Sequence, residues 1–271
     1  EETRHSPLAQ INASNVGKLK LAWSYDVGIG GGTQEATPLV WNRTLFSITN
    51  WSIVYAVDAV TGKQKWRFDP EVNQNTVRSK VCCGVANRGM VLYQGMVIAP
   101  VIDGRLIALD AETGHPKWEA RVSWPQDNYT VTMAPRLAKG KVIIGVAGAE
   151  FPTRGYFDAY DAKTGERAWR FYTVPGDPSK PFENDAMRKA AATWDKDAEI
   201  ARHVCAAASI PVVTSPMSLK TAALLHSSRR SSNATAVVMA TAALSRNSRI
   251  MTLSVLLPGC AASCASVACA P

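Results

Sequence analysis

The sequence predicts an all-β fold built from repeated sheets, and three observations support this prediction. A motif of eleven residues occurs three times at a nearly constant period, and an alternating apolar run precedes each copy. All eight Trp, seven Tyr and six Phe residues lie at or before Trp194, so the side chains that bury the most area are confined to one part of the chain. With 271 residues, 46% of them hydrophobic, the chain can bury a substantial core, which excludes disorder throughout.

The repeated motif is Ala-x-Asp-x-x-Thr-Gly-x-x-x-Trp, in residues 56–66, 108–118 and 159–169, with successive tryptophans 52 and 51 residues apart. The run before each copy alternates β-branched or aromatic residues with others, which is typical of a strand. The Asp-x-x-Thr-Gly step predicts a tight turn, because the carboxylate accepts backbone N–H groups and Gly adopts positive φ without strain. About four strands in roughly 50 residues, repeated around an axis, predict the blades of a β-propeller.

The motif tryptophans are predicted to be structural, since a large ring with one N–H donor can pack between neighbouring blades and bond a carbonyl. Trp23 resembles the end of an earlier, atypical unit. Residues 174–194 interrupt the repeats with a proline-rich lead-in and a predicted short amphipathic helix packed on the body. Its predicted packing face contains four residues spaced four apart, namely Phe182, Ala186, Ala190 and Trp194.

The composition changes near residue 197, which divides the chain into two predicted parts. Residues 1–197 form the propeller part, and residues 198–271 form an irregular tail rich in Ala and Ser, without aromatic side chains to build a core. Six Lys and Arg against one Glu give the tail a net charge of +5, leaving only +3 for the propeller part. That distribution predicts no nucleic-acid partner.

Two interpretations of the tail stay open, a genuine appendage or the product of a shifted reading frame. Residues 250–271 carry no charge, but Pro258, Gly259 and several Ser and Thr residues interrupt them. No membrane span is therefore predicted.

Four residues stand out for their chemistry, although each has an ordinary alternative. Adjacent Cys82 and Cys83 are either two buried thiols or a strained disulfide that forms a flat platform in an oxidising compartment. Arg88 is either a surface residue or a bidentate partner for carboxylates of a planar ligand. Glu150 follows a predicted strand among small residues, where a carboxylate can bind a hard cation such as calcium.

Glu35 is ambiguous when taken alone. The sequence contains no Ser/His/Asp or His/Cys arrangement typical of a nucleophilic active site. The four histidines fall in no motif, and no glycine-rich phosphate loop follows a strand in the required context.

Taken together and in order, segments between residues 3 and 195 resemble the pyrroloquinoline-quinone (PQQ)-dependent alcohol dehydrogenases, the periplasmic quinoproteins. Residues 174–183 favour the alcohol dehydrogenase branch, including quinohaemoproteins, over methanol dehydrogenase. The other matching segments are residues 4–12, 35–38, 82–83, 87–89, 132–135, 148–150 and 154–155.

The resemblance implies an eight-bladed propeller, about half of it present here, with PQQ on its axis. It implies that a vicinal disulfide, Cys82–Cys83, covers one face of the quinone, and that Glu150 is a calcium ligand. The implied hydrogen-bonding partners of PQQ are the side chains of Glu35, Arg88 and Thr132 and the backbone of Ala147, Gly148 and Ala149.

The family's aspartate base, stacking tryptophan, second calcium ligand and cationic residue near the quinone cannot be placed in this sequence. No catalytic residue is therefore assigned, and this chain by itself is predicted to be inactive. The resemblance implies that the parent protein oxidises a primary alcohol to an aldehyde and passes electrons to a periplasmic cytochrome c or blue-copper protein.

A haem c is compatible with a full-length parent but not with this chain, and the expected location is periplasmic, although the chain shows no signal peptide. The alternative function is that of a non-enzymatic propeller of the PQQ-like repeat type, acting as a binding scaffold.

Overall fold

The computed structural model describes residues 9–29, 34–82, 84–148, 150–151, 153–177 and 179–193, and the backbone of residues 237–241 and 250–258. Three residues singled out from the sequence, Cys83, Ala149 and Trp194, lie outside these ranges, as does most of the tail.

A 3-10 helix at Val16–Lys18 leads into a long strand, β1 (Leu19–Ile29), and three four-stranded antiparallel sheets follow, each with its strands in sequence order. The first sheet consists of β2 (Leu39–Trp41), β3 (Thr44–Ile48), β4 (Val54–Asp58) and β5 (Gln64–Phe68). The second consists of β6 (Val91–Tyr93), β7 (Met96–Pro100), β8 (Arg105–Asp110) and β9 (Pro116–Arg121). The third consists of β10 (Arg136–Ala138), β11 (Lys141–Gly145), β12 (Tyr156–Asp161) and β13 (Arg167–Tyr172). These sheets form part of a β-propeller and confirm the predicted all-β fold.

The Asp-x-x-Thr-Gly part of each motif forms the turn between the third and fourth strands of its sheet. Asp58 Oδ1 accepts the N–H groups of Val60 at 3.0 Å and Thr61 at 2.8 Å, and Gly62 follows with φ +72°. Asp110 and Asp161 accept the equivalent N–H groups in the second and third sheets. The turn predicted from the sequence is therefore present in all three motif copies.

The hydrophobic core lies between successive sheets. One buried cluster joins the first two sheets and includes Phe46, Val54, Trp66, Val97, Ile107 and Leu109. A second cluster joins the next two and includes Ile98, Leu106, Val142, Ile144 and Tyr160. Since each sheet contributes apolar side chains to the interface with its neighbour, the sheets stabilise one another as the blades of a propeller do.

Trp66 shows how a motif tryptophan joins two sheets. Its Nε1 donates to the carbonyl of Ala111 in the second sheet at 3.1 Å. Its ring lies against Gly114, where an added Cβ would be 2.7 Å from the ring. Only a residue without a side chain permits this approach, so the Gly of one motif accommodates the Trp of the preceding one.

The packing of a tryptophan ring against a glycine of the next sheet recurs on both sides of this interface. Trp23 in β1 donates to the Ala59 carbonyl at 3.2 Å and lies against Gly62. The Trp118 ring lies against Gly165 in the third sheet. Trp66 therefore has the predicted role in full, and Trp118 has the predicted packing, although its buried Nε1 has no hydrogen-bond partner among the described residues. Trp169, the third motif tryptophan, is 43% exposed, so the predicted packing between blades is not seen for it within the described residues.

Two short α-helices lie outside the sheets, α1 (Gln74–Arg78) and α2 (Asp185–Ala191). The second confirms the predicted helix, but its packing face differs from the prediction. Asn184 caps the helix by accepting the Met187 N–H at 3.0 Å, so the helix begins after Phe182, and Met187 is its buried side chain while Ala186 is exposed. Among the residues that the structure describes, no helix combines the length and apolarity that crossing a membrane requires.

The tail contains two strands that the sequence analysis does not predict, β14 (Val237–Thr241) and β15 (Ile250–Pro258). Strand β15 pairs antiparallel with β1, with Leu19 opposite Pro258 and Ile29 opposite Ile250. The resulting three-stranded sheet has the order β1-β15-β14. The boundary predicted near residue 197 stays a prediction.

Candidate cofactor site

Three residues predicted to bind the cofactor meet at one place, although each belongs to a different sheet. Glu35, Arg88 and Thr132 lie in the segments that lead into β2, β6 and β10, the first strands of the three sheets. Arg88 Nη2 lies 3.0 Å from Glu35 Oε2, and Arg88 Nη1 donates to Thr132 Oγ1 at 2.8 Å. Because the sheets repeat the same geometry, equivalent lead-in segments converge, and we call these three residues the polar cluster.

The polar cluster is open to solvent, with 50% of the Arg88 side chain and 36% of the Glu35 side chain exposed. An ion pair this exposed contributes only about 0–1 kcal/mol to stability, so the fold gains little from it. A guanidinium has five N–H donors in a planar fork, which suits a carboxylate. The half-exposed guanidinium of Arg88 can therefore be reached by an anionic group from solvent.

Backbone contacts hold the Thr132 segment and bring the glycine-rich segment of the third sheet beside it. The N–H of Arg88 donates to the Thr132 carbonyl at 3.0 Å. Thr130 and Ala147 exchange two backbone hydrogen bonds, of 2.9 and 2.8 Å. Ala147 is thus paired directly with Thr130, two residues before Thr132, and Gly148 follows it in the chain.

Gly148 cannot carry a side chain in this structure. It is buried with φ +158°, and an added Cβ would lie 2.6 Å from the Asn128 carbonyl oxygen. The small residue noted in the sequence is therefore needed for close packing of the backbone at this point.

Glu150, the predicted calcium ligand, is exposed beyond this packed glycine. Within the described ranges, no group of three or more His, Cys, Asp and Glu side chains is placed to hold a metal ion. A calcium ion at Glu150 would accordingly need backbone, amide or water oxygens, or carboxylates from outside the described residues.

Cys82 is exposed and forms a disulfide, and its bonded partner lies outside the described residues. The loop that carries it is held from both sides. Val85 and Val77 of α1 belong to one buried cluster, and Lys80 Nζ donates to the carbonyls of Pro125 and Asp127 in the loop before β10. The Cys82 loop is thereby fastened to the segment that leads to Thr132.

Arg154 is a structurally important residue whose role the sequence did not reveal, although it belongs to a matching segment. Its Nε donates to the Val174 carbonyl at 2.9 Å, its guanidinium pairs with Glu183, and its Cζ lies 3.9 Å from the centre of the Tyr172 ring. This ion pair lowers the pKa of Glu183. Arg154 therefore fastens the proline-rich segment before α2 to the third sheet.

Comparison with known proteins gives a consistent result. The glucose/ethanol/alcohol dehydrogenase β-propeller domain, a PQQ family, matches residues 1–198. The quinohemoprotein alcohol dehydrogenase of Comamonas testosteroni is 52% identical over 195 residues, which cover 72% of this chain and 27% of that protein. The 1-butanol dehydrogenase (cytochrome c) of Thauera butanivorans is 45% identical over 199 residues, covering 73% of this chain and 28% of that protein.

A solved structure agrees with the sequence comparisons. The crystal structure of the Comamonas testosteroni quinohemoprotein alcohol dehydrogenase matches with a TM-score of 0.68 and 51% identity, over 71% of this chain and 29% of that chain. The chain thus spans less than a third of the length of these relatives. Since the family match covers well over half of the chain and includes all three motif copies and the polar cluster, the chain belongs to the glucose/ethanol/alcohol dehydrogenase β-propeller family.

Proposed function

We propose that the protein containing this chain is a PQQ- and calcium-dependent dehydrogenase that oxidises primary alcohols to aldehydes. The convergence of Glu35, Arg88 and Thr132 from three separate sheets carries the proposal. The names of the relatives, a quinohemoprotein alcohol dehydrogenase and a 1-butanol dehydrogenase (cytochrome c), support an alcohol as the substrate and a cytochrome c as the electron acceptor. A blue-copper protein is the other acceptor class that we propose.

The polar cluster binds and orients the cofactor in this proposal. Arg88 pairs with a PQQ carboxylate, because its fork of N–H donors matches two carboxylate oxygens. Thr132 adds a hydroxyl, and Glu35 balances the guanidinium charge and fixes the plane of the fork. The backbone of Ala147, Gly148 and Ala149 supplies further hydrogen-bonding groups. The chemistry that PQQ supplies when bound is the two-electron oxidation of the alcohol.

Cys83 is the disulfide partner that we propose for Cys82. A bridge between adjacent cysteines forms a flat, polarisable surface that suits the face of a quinone. The disulfide at Cys82 also supports a periplasmic location for the parent protein, since disulfides persist in oxidising compartments.

Glu150 contributes one carboxylate to the proposed calcium ion, which supplies Lewis acidity when bound. The remaining calcium ligands and the proton-accepting base come from other parts of the parent protein, as does any haem c. Because such groups act as a unit, we expect no turnover from this chain alone.

The test uses the full-length protein encoded by the gene, supplied with PQQ and calcium. We expect dye reduction that depends on both PQQ and a primary alcohol. In the Arg88→Ala variant, loss of charged hydrogen bonds worth about 1.5–3 kcal/mol should weaken PQQ binding by about 10- to 160-fold. PQQ affinity is measured by quenching of tryptophan fluorescence.

The matched control is Arg67→Ala, which removes a comparably exposed ion pair with Asp69, 2.7 Å long, away from the polar cluster. This variant should bind PQQ like the parent protein. A full-length protein that neither binds PQQ nor oxidises alcohols would contradict the proposal and favour the scaffold alternative.

A further inference from the structure

Asn87, the residue before Arg88, has a buried side chain whose polar atoms are all engaged. Only 1% of the residue is exposed. Its Nδ2 donates to Ser52 Oγ at 3.1 Å and to the Pro100 carbonyl at 2.8 Å, and its Oδ1 accepts the Gly89 N–H at 3.0 Å. An amide provides two donors and an acceptor at once, and this site uses both kinds.

Ser52 joins the same network from the neighbouring sheet. It lies at the end of the 3-10 turn Asn50–Ser52, which links β3 to β4, and its residue is 1% exposed. Besides accepting from Asn87, its Oγ accepts the Ile102 N–H at 3.0 Å. The hydroxyl thus ties together the β3–β4 turn, the Arg88 segment and the β7–β8 turn.

The backbone at this turn is held in an uncommon conformation. Trp51 and Ser52 both have φ +62°, in the left-handed region that favours glycine. Side chains in that region persist only when surrounding contacts hold them, and such positions cluster at functional sites. Here the turn is held by two hydrogen bonds at the Ser52 hydroxyl and by burial of the Trp51 side chain beside Val77, Val85 and Ile102.

The consequence is that the backbone of Arg88 is fixed on both sides. Asn87 precedes it and is bonded to the β3–β4 turn and to the last residue of β7, while the Gly89 N–H is bonded back to Asn87. The Arg88 N–H is bonded to Thr132. A long, half-exposed side chain on a fixed backbone has fewer positions to lose when it binds a ligand.

We propose that Asn87 and Ser52 are a buried pair of positioning residues that hold Arg88 in place for a carboxylate of the cofactor. This inference rests on the proposed function. In this proposal neither Asn87 nor Ser52 touches the cofactor, and both act through Arg88. A positioning role therefore predicts that their effect on binding disappears once Arg88 is removed.

The test is a double-mutant cycle in the full-length protein, with the PQQ dissociation constant as the readout, measured by fluorescence quenching without turnover. Asn87→Ala should weaken PQQ binding about tenfold, the scale expected for lost buried hydrogen bonds. In an Arg88→Ala background, Asn87→Ala should cause no further loss, because coupled residues are not additive. Asn75→Ala, in the exposed part of α1, is the matched control and should leave PQQ binding unchanged.

Ser52→Gly provides a second variant if Asn87→Ala does not fold. Glycine adopts φ +62° easily, so this change relieves the backbone while removing the hydroxyl. It should weaken PQQ binding, again only when Arg88 is present. An equal loss with and without Arg88, or no loss from either variant, would overturn the positioning role while leaving the proposed function intact. A parent protein that does not bind PQQ would overturn both.

Discussion

Trp66 and Trp169 occupy the same position of the same motif, yet their surroundings differ. Trp66 is 8% exposed and donates to a carbonyl of the second sheet, whereas Trp169 is 43% exposed and contacts Phe157 of its own sheet. Among the described residues, Trp169 meets no glycine of a following sheet. The motif therefore provides a tryptophan on one side of an interface, and that tryptophan is buried only where a neighbouring sheet packs against it.

The largest expected difference is in the loss of stability when the Trp66 ring or the Trp169 ring is removed. Trp66→Ala should lower the free energy of unfolding by about 3–5 kcal/mol, because it leaves a cavity between two sheets. Trp169→Ala should lower it by less, about 1–2 kcal/mol, since 43% of that residue is already exposed to water. Urea denaturation of both variants measures the two losses. Equal losses would show that Trp169 is buried by a contact outside the described residues.

A glycine substitution should separate ring packing from backbone strain. Gly114 and Gly140 have similar φ values, +76° and +72°, but an added Cβ would lie 2.7 Å from the Trp66 ring at Gly114 and 3.5 Å from Tyr93 Oη at Gly140. Gly140→Ala should cost about 1–2 kcal/mol for the left-handed backbone alone. Gly114→Ala should cost about 1–3 kcal/mol more, because the ring must move. Similar thermal shifts for the two variants would contradict the packing role of Gly114.

The smallest effect should be the same in the second and third sheets, since the motif Asp of each has the same kinds of partner, a lysine of its own sheet and the N–H groups of the turn. Lys117 and the turn N–H groups lower the pKa of Asp110 to about 2, and Lys141 and equivalent N–H groups do so for Asp161. Both carboxylates therefore stabilise the fold above their ordinary pKa of 3.8, and this stability is lost as the pH falls towards 2. As the pH is lowered from 5 to 2, the melting temperature should fall less steeply for Asp110→Asn and for Asp161→Asn than for the unsubstituted protein. A response from only one variant would contradict a local origin.

The sequence was most informative where the structure depends on neighbours along the chain. Strands and motif turns follow from residues within single segments, and the structure confirms them. The family resemblance follows from the order of several such segments, and the comparisons confirm it. The meeting of Glu35, Arg88 and Thr132 came from the resemblance alone, because no local pattern links segments so far apart. Their binding of PQQ, and the roles of Cys83, Ala149 and Glu150, stay predictions.

The residues that the sequence did not reveal are those whose role depends on burial. Asn87 sits in an Asn-Arg-Gly loop that reads as polar and exposed, and only the packing of two sheets buries it. The helix cap at Asn184 moves the packing face of α2 to Met187, which the four-residue spacing cannot show. Strand β15 depends on pairing with β1, more than 200 positions away.

The polar cluster draws one residue from each of the three sheets. Anything that binds all three at once bridges two inter-sheet boundaries, so separating either boundary also releases the bound group. By mass action, a ligand present at 100 times its dissociation constant would raise the free energy of unfolding by about 2.7 kcal/mol. A ligand bound at the polar cluster would therefore stabilise the packing of the three sheets against one another, in addition to any chemical role.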